Sequence, residues 1–245
     1  MENRVVCRDE QTAFLPGLKK MIQHLPAPFP DSEEAMFFDM HVHSDYSIDS
    51  VVSVGAIVRA WEKTGILPLV CDHNSIEGSR EVYARIRKQD PDIPEILAEE
   101  ILTRDGEIIG VFLTEEIPPG LSAEETLDAI DDQGALSIVP HPFCTYRSST
   151  IDREVLEDII DRIDIVEGYN ARNRSPEADI EARAFAREHK KPISAGSDAH
   201  TCIELGGVFV AIAPFEEPDD LLANLKDALV WCRPTRASRR VNRQR

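Results

Sequence analysis

Five of the seven histidines fall at, or just past, the C-terminal end of a short apolar run: His41, His43, His73, His141 and His200. Carboxylates accompany them at the same ends, namely Asp39, Asp49, Asp72, Glu100, Glu167 and Asp198. Imidazole nitrogen with carboxylate oxygen suits zinc, manganese or iron. His41 and His43 alternate about Val42, and alternate residues of a strand point the same way, so both rings can face one ion. Glu100 and Asp198 are available from other runs to balance its charge. A bound divalent ion lowers the pKa of water from 15.7 to about 7, giving hydroxide near neutral pH. Two ions about 3.5–4 Å apart can hold both the attacking and the leaving oxygen. One histidine alone reads as structural more often than catalytic; a set that selects the same end of successive runs reads as a hydrolytic metal centre.

The elements that must position these residues follow one rhythm from Met36 onward. The apolar runs are MFFDMHVH, ILPLVCDH, IPEILAEEIL, EIIGVFL, LSIVPHP, IDIVEGYN, KPISAGSD and GGVFVAIA. Helix-like stretches separate them, including SVGAIVRAWEKTG, SREVYARIRKQ, SAEETLDAIDDQG, DREVLEDIIDR and EADIEARAFAREHK, and EPDDLLANLKDALVW reads as a closing helix. Strands alternating with helices argue for a parallel sheet with crossovers. With two runs joined by the turn TRDG, about seven barrel strands are expected. A doubly wound open sheet would place a glycine-rich, phosphate-holding turn after its first strand; here that strand ends in HVHSDYS. In a β/α barrel the C-terminal strand ends converge on one face, where active sites form. Trp61 and Trp231, in helical patterns, read as packing.

These motifs resemble those of the PHP (polymerase and histidinol phosphatase) superfamily, from Asp39 to about Ala213. DMHVHSDYSID resembles the first motif, CDHNSIEG the second, AEEILT the acidic one, PHPF that of His141, and GSDAH that of Asp198 and His200. The resemblance implies an α/β fold, a distorted seven-stranded TIM-like barrel with two or three divalent ions (Zn, Mn or Fe). It implies one ion on His41, His43, Glu100 and Asp198, which would activate the attacking water, a second on Glu100 and His141, and a third on Asp49, His73 and His200. Asp39, Asp72 and Asn170 would stand behind these ligands. Where many relatives carry a histidine before an apolar strand, this chain has Glu107, expected to ligate in its place; the bland alternative is an exposed hairpin carboxylate. Family members commonly hydrolyse phosphate esters, so Arg147 and Arg172 become candidate phosphate clamps through the bidentate guanidinium fork.

Composition bounds the rest. The 245 residues suit one large domain, with 42% hydrophobic and 29% charged residues. The expected organisation is a leader over 1–35, a barrel over 36–232 and a basic tail over 233–245. The leader contains FLPGLKKMIQHL, an amphipathic pattern, and His24, to which no chemistry is assigned. No apolar run reaches the roughly 18–20 residues of a membrane span, and MENRVVCRDEQTAF has no apolar signal core, so a cytoplasmic location is expected. Five cysteines without a C-x-x-C pair exclude a disulfide scaffold and a cysteine zinc knuckle. The net charge is −18, and without the six arginines of the tail the chain keeps 21 of its 27 basic residues against 45 acidic ones. Such a body repels polyanions, so the expected partner is a small phosphorylated substrate (a metabolite, a nucleotide or a short oligonucleotide) rather than long nucleic acid. An amidohydrolase-like metalloenzyme and a catalytically silent metal-binding barrel are the competing readings. No lysine ends a strand, which weighs against the first, and the nearly complete ligand set weighs against the second.

Overall fold

All eight apolar runs are strands in the computed structural model, which describes residues 5–7 and 35–232. In chain order the strands are β1 (Val5–Cys7), β2 (Met36–Val42), β3 (Ile66–His73), β4 (Ala98–Leu102), β5 (Glu107–Val111), β6 (Leu136–Val139), β7 (Ile165–Asn170), β8 (Ile193–Gly196), β9 (Val208–Ile212) and β10 (Leu229–Cys232). Among the described residues they form one sheet, ordered β1-β10-β9-β2-β3-β4-β5-β6-β7-β8.

The seven strands β2 to β8 close into a ring. Val42 bridges Ala199 in parallel fashion just beyond β8. Asp198 N donates to His41 O at 2.7 Å, and His43 N donates to Ala199 O at 3.0 Å. This seam excludes the open doubly wound sheet. Gly196 makes it possible, because a Cβ there would lie 2.2 Å from the Cβ of His41. The distortion is β5, which runs antiparallel to both β4 and β6 in an otherwise parallel ring. The turn at Thr103–Gly106 reverses the chain before it, as TRDG predicts. Strands β9, β10 and β1 extend the sheet from β2 outside the ring.

Six helices follow, α1 (Val54–Thr64), α2 (Glu77–Ile86), α3 (Ala123–Asp132), α4 (Arg153–Ile159), α5 (Pro176–Glu188) and α6 (Pro218–Leu225), and four of them, α1, α3, α4 and α5, start at a side-chain cap. Ser53, Asp152 and Ser175 accept from first-turn amides, and Ser122 with Glu125 forms a reciprocal capping box. Gly65, at φ 70°, ends α1 in the left-handed conformation. Aliphatic side chains fill the interior, Leu69, Ile101, Ile108 and Ile138 among them, each contributing roughly 1.5–3 kcal/mol by leaving water.

One element differs from expectation. EPDDLLANLKDALVW is not a single helix: α6 stops at Leu225, and Leu229–Cys232 is β10, antiparallel to β9. Trp231 therefore packs from a strand, its ring stacked on Phe209 at 4.8 Å, whereas Trp61 lies in α1 as expected. Of the expected leader, Val5–Cys7 pairs parallel to β10. The helix expected at FLPGLKKMIQHL, His24 and the tail over 233–245 lie outside the described residues. Among the described residues no helix is long and apolar enough to cross a membrane.

Candidate metal centre

The ring delivers the predicted side chains to one end. His41 and His43 come from β2, His73 from β3, Glu100 from β4 and Glu107 from the start of β5. His141, Asp198 and His200 follow β6 and β8. His41, His43, Glu100, His141 and Asp198 are all buried.

The imidazole tautomers of the first two are set by their neighbours. His41 Nδ1 donates to Glu167 Oε1 at 3.0 Å. Ser47 Oγ donates its one proton to Asp72 Oδ1 at 2.6 Å, so it accepts from His43 Nδ1 at 3.1 Å. Both Nδ1 atoms are thus engaged outside the centre, and the two Nε2 atoms face each other 3.1 Å apart; desolvation opposes a charge on His41, but the acidic groups around it hold its proton affinity well above the usual range. Two imidazole nitrogens that close share either a proton or a metal cation, and the field that favours the one favours the other. Glu100 oxygens stand 3.5 and 3.2 Å from the two nitrogens, and Asp198 Oδ1 stands 3.8 and 3.5 Å away. Tetrahedral bonds of about 2.0–2.2 Å imply ligand separations of about 3.3–3.6 Å. Asp198 Oδ1 is buried without a hydrogen-bond partner among the described residues, which leaves that oxygen open to a cation although Arg147 pairs with the other. The four donors fit a divalent metal.

Two further groups adjoin this one. His141 Nε2 lies 3.2 Å from Glu100 Oε1 and 3.6 Å from Glu107 Oε2. His73 Nδ1 lies 3.2 Å from Glu100 Oε2 and 3.7 Å from Glu107 Oε1. Glu107 is only 5% exposed, so it is not the exposed hairpin carboxylate of the bland reading. Burial, reinforced by the charge of Glu100, pushes its carboxyl up to about 8. Nearer solvent, Asp49 faces His73 Nε2 at 3.6 Å and His200 Nε2 at 3.1 Å, with His200 Nδ1 donating to the Asp198 carbonyl at 2.9 Å. His141 and Asp198 occupy positive-φ backbone, at 31° and 51°, an uncommon conformation for such residues that concentrates at functional sites.

Behind these atoms, Asp72 points away from His73 and accepts from Ser44 N, Ser44 Oγ and Ser47 Oγ. Gly78 leaves room for it: a Cβ there would meet Asp72 Oδ2 at 1.9 Å. Asp39 accepts from Ser197 N and Gly206 N, tying down the loops on either side of His200; burial raises its carboxyl to about 7 despite those bonds. Asn170 Nδ2 donates to both Glu167 Oε2 and Asp198 Oδ2. The thiol of Cys71 also lies beside His41 and His43, but burial pushes its ionisation well above the usual range.

Residues 176–229 match the family described as PHP-associated. The uncharacterized protein MJ0417 of Methanocaldococcus jannaschii is 37% identical over 191 residues, covering 76% of this chain and 75% of that protein. Among solved structures, a two-domain protein from Bacteroides vulgatus, described as containing a predicted PHP-like metal-dependent phosphoesterase, gives a TM-score of 0.64 at 16% identity. The chain belongs to the PHP superfamily. A second solved structure of this fold is the lesion-specific endonuclease of Pyrococcus furiosus, with a TM-score of 0.57 at 16% identity. The chain is covered over 82% and 80% by these two structures, yet it spans only 65% and 57% of their own lengths.

In this PHP chain two residues orient the imidazoles in ways that their sequence positions do not show. Ser47, one of three serines in HSDYSIDS, fixes His43 and also accepts from His73 N at 3.1 Å. Glu167 is visible as a strand-end acid, but its bond to His41 depends on the ring closing so that only β8 separates β7 from β2. Arg147, expected to meet phosphate, instead pairs with Asp198 Oδ2. The Arg172 amide donates to Asn170 Oδ1 at 2.9 Å, and its side chain is exposed.

Proposed function

We propose that this chain is a metal-dependent hydrolase of phosphate esters, acting on a small phosphorylated metabolite, a nucleotide or a short oligonucleotide. The observation that carries the reading is the pair of Nε2 atoms, 3.1 Å apart, facing Glu100 and Asp198. His41, His43, Glu100 and Asp198 would hold one ion; Glu100, His141 and Glu107 a second; Asp49, His73 and His200 a third. A divalent ion held there would lower the pKa of water to about 7 and polarise a phosphoryl oxygen. The chain's own part is positioning. Glu167 and the Ser47–Asp72 pair keep the Nδ1 protons of His41 and His43 away from the centre, and Arg147 with Asn170 holds Asp198 so that its Oδ1 faces inward.

The net charge of −18 argues against long nucleic acid as a partner, but it averages over the whole surface. A lesion-specific endonuclease shares the fold, so diesters belong beside monoesters in the substrate class. Hydrolysis of p-nitrophenyl phosphate and bis-p-nitrophenyl phosphate with manganese tests the reading. The expected result is chelator-sensitive turnover of at least one ester by the parent and its loss in Asp198→Ala. Inert esters with a fully loaded parent would remove it.

A further inference from the structure

The loops that follow β4 and β6 border a cavity of about 630 Å³ beside the centre, within the range of about 300–1,000 Å³ of small-molecule sites. One side is the turn between β4 and β5, with Asp105; the other is the segment 148–150, continued by Asp152 at the start of α4. The two sides are joined at their base. Glu107 N donates to Ser149 O and Asp152 N to Asp105 O, each at 2.9 Å. Gly106 approaches so closely that a Cβ there would lie 2.2 Å from the Cα of Ile151. Walls bonded in this way hold the shape of the cavity before a ligand arrives, which lowers the cost of binding one. Ser149 also ties the cavity to the metal centre, because its hydroxyl donates to the Glu107 carboxyl group.

The lining asks for hydrogen-bond donors rather than for charge. Asp105 Oδ2 accepts from Ala123 N and Asp152 Oδ1 from Glu154 N, each at 2.8 Å. Both amides belong to the first turn of a helix, which offsets the negative charge. The second oxygen of each carboxylate accepts no bond among the described residues. Arg104, also on the wall, is paired with Glu125, so its charge is already matched. Thr150 Oγ1 gives its proton to Cys144 O and is left to accept. The Ser148 hydroxyl, on an exposed residue, bonds nothing among the described residues and can donate or accept. Leu102, 43% exposed, and Val155 add aliphatic surface. Acceptors in excess of donors, with apolar patches beside them, complement a molecule that carries many hydroxyls on a C–H framework.

We propose that this cavity holds the hydroxyl-rich part of the substrate, a sugar or sugar alcohol whose phosphate group reaches the metal centre past Ser149. This rests on the phosphoesterase reading and narrows it to polyol phosphates. Water adds to phosphorus, the bond from phosphorus to the sugar oxygen breaks, and that oxygen leaves with a proton as the free polyol beside inorganic phosphate.

Steady-state kinetics on the manganese-loaded full chain test this with esters matched except for their hydroxyl groups. Ribose 5-phosphate is compared with tetrahydrofurfuryl phosphate, and glucose 6-phosphate with tetrahydropyran-2-ylmethyl phosphate. The parent is expected to favour the hydroxylated member at least about tenfold in kcat/KM, mainly through KM, in one pair or both, because a site built to bond hydroxyls rejects an analogue that lacks them. Ser148→Ala alone should lower that ratio, and Ser148→Ala with Asp105→Asn should bring it close to one. The carboxamide keeps an acceptor for Ala123 N but turns a donor towards the ligand. No preference in the parent, a ratio that survives both substitutions together, or an equal fall for both members overturns the proposal. So does faster turnover of (4-aminocyclohexyl)methyl phosphate than of either sugar ester, which would make the cavity a cation site. If no ester is hydrolysed, the phosphoesterase reading fails by itself. Calorimetry then decides the cavity: at least about tenfold tighter binding of a sugar phosphate than of its hydroxyl-free partner, lost in the double variant, supports it, and equal or absent binding overturns it.

Discussion

Replacing Ser47 by alanine isolates the tautomer argument, because Ser47 touches an imidazole without being a metal donor. Its Oγ accepts from His43 Nδ1 and His73 N and donates to Asp72 Oδ1. The substitution strands two N–H donors in a largely buried place, at about 1–3 kcal/mol each. Allowing for water entering the space of the lost hydroxyl, a destabilisation of about 2–4 kcal/mol is expected, or roughly 4–16 °C in Tm for a chain of this size. Freed from its partner, His43 can place its proton on Nε2, and loss of such an orienting group costs about 10–100-fold in metal affinity. Ser44→Ala is the matched control, since Ser44 bonds the same Asp72 but no imidazole. Chelator competition gives the affinity and thermal denaturation the stability, each with and without metal. Equal metal affinity in Ser47→Ala, Ser44→Ala and the parent would refute the reasoning.

Glu107→Ala should lose one metal equivalent by elemental analysis while the ion on His41 and His43 stays, and Glu107→His should retain occupancy with a shift towards zinc. Burial raises the Glu107 carboxyl to about 8, so below that pH an ion must displace its proton. Affinity should therefore climb with pH up to about 8 and then level off, with proton release measurable by calorimetry in buffers of different ionisation enthalpy. The sign for the metal-free chain is opposite: the folded state holds this proton more tightly than the unfolded state. Its stability should fall as pH rises from about 4.5 to about 8, followed by thermal melts in chelator. Stripping the metals should itself lower Tm: ions present at about 1,000 times their Kd contribute about 4.1 kcal/mol, or roughly 8–16 °C. An unchanged melt in chelator would show that no ion is held.

The ring was legible because its signals are local. Each strand of β2 to β9 is a short apolar run, and most chemical residues sit at or just past its end; Glu107, at the start of β5, reaches the same face because that strand is reversed. Two parts were not. The residues ALVW continue the apolar spacing of Leu221, Leu222 and Leu225, so helix and strand are indistinguishable there until β9 supplies the pairing edge that makes Leu229–Cys232 a strand. The orienting partners were hidden for a related reason. Ser47 and Glu167 are ordinary residues whose roles arise only when β3 pairs with β2 and closure of the ring past β8 brings β7 near it. Arg147 shows the limit of residue type alone: its fork suits a phosphate, but folding gives it Asp198 first.

The seam between β2 and β8 has a consequence for how the chain matures. Asp39 and Ser197, bonded across it, are 158 residues apart in sequence, and the backbone bonds beside them join His41 and His43 to the segment that carries Asp198 and Ala199. During synthesis both β2 imidazoles emerge early, whereas the carboxylate that completes their set arrives only after six more strands of the ring. A nascent fragment can hold an ion on His41 and His43 only weakly. Strong capture must wait until the ends of the ring meet, a contact with a high entropic cost that forms late. An ion held there would act as a clasp across the join between the two ends of the ring, so that tight loading would mark a finished chain and products truncated before β8 would be left without it.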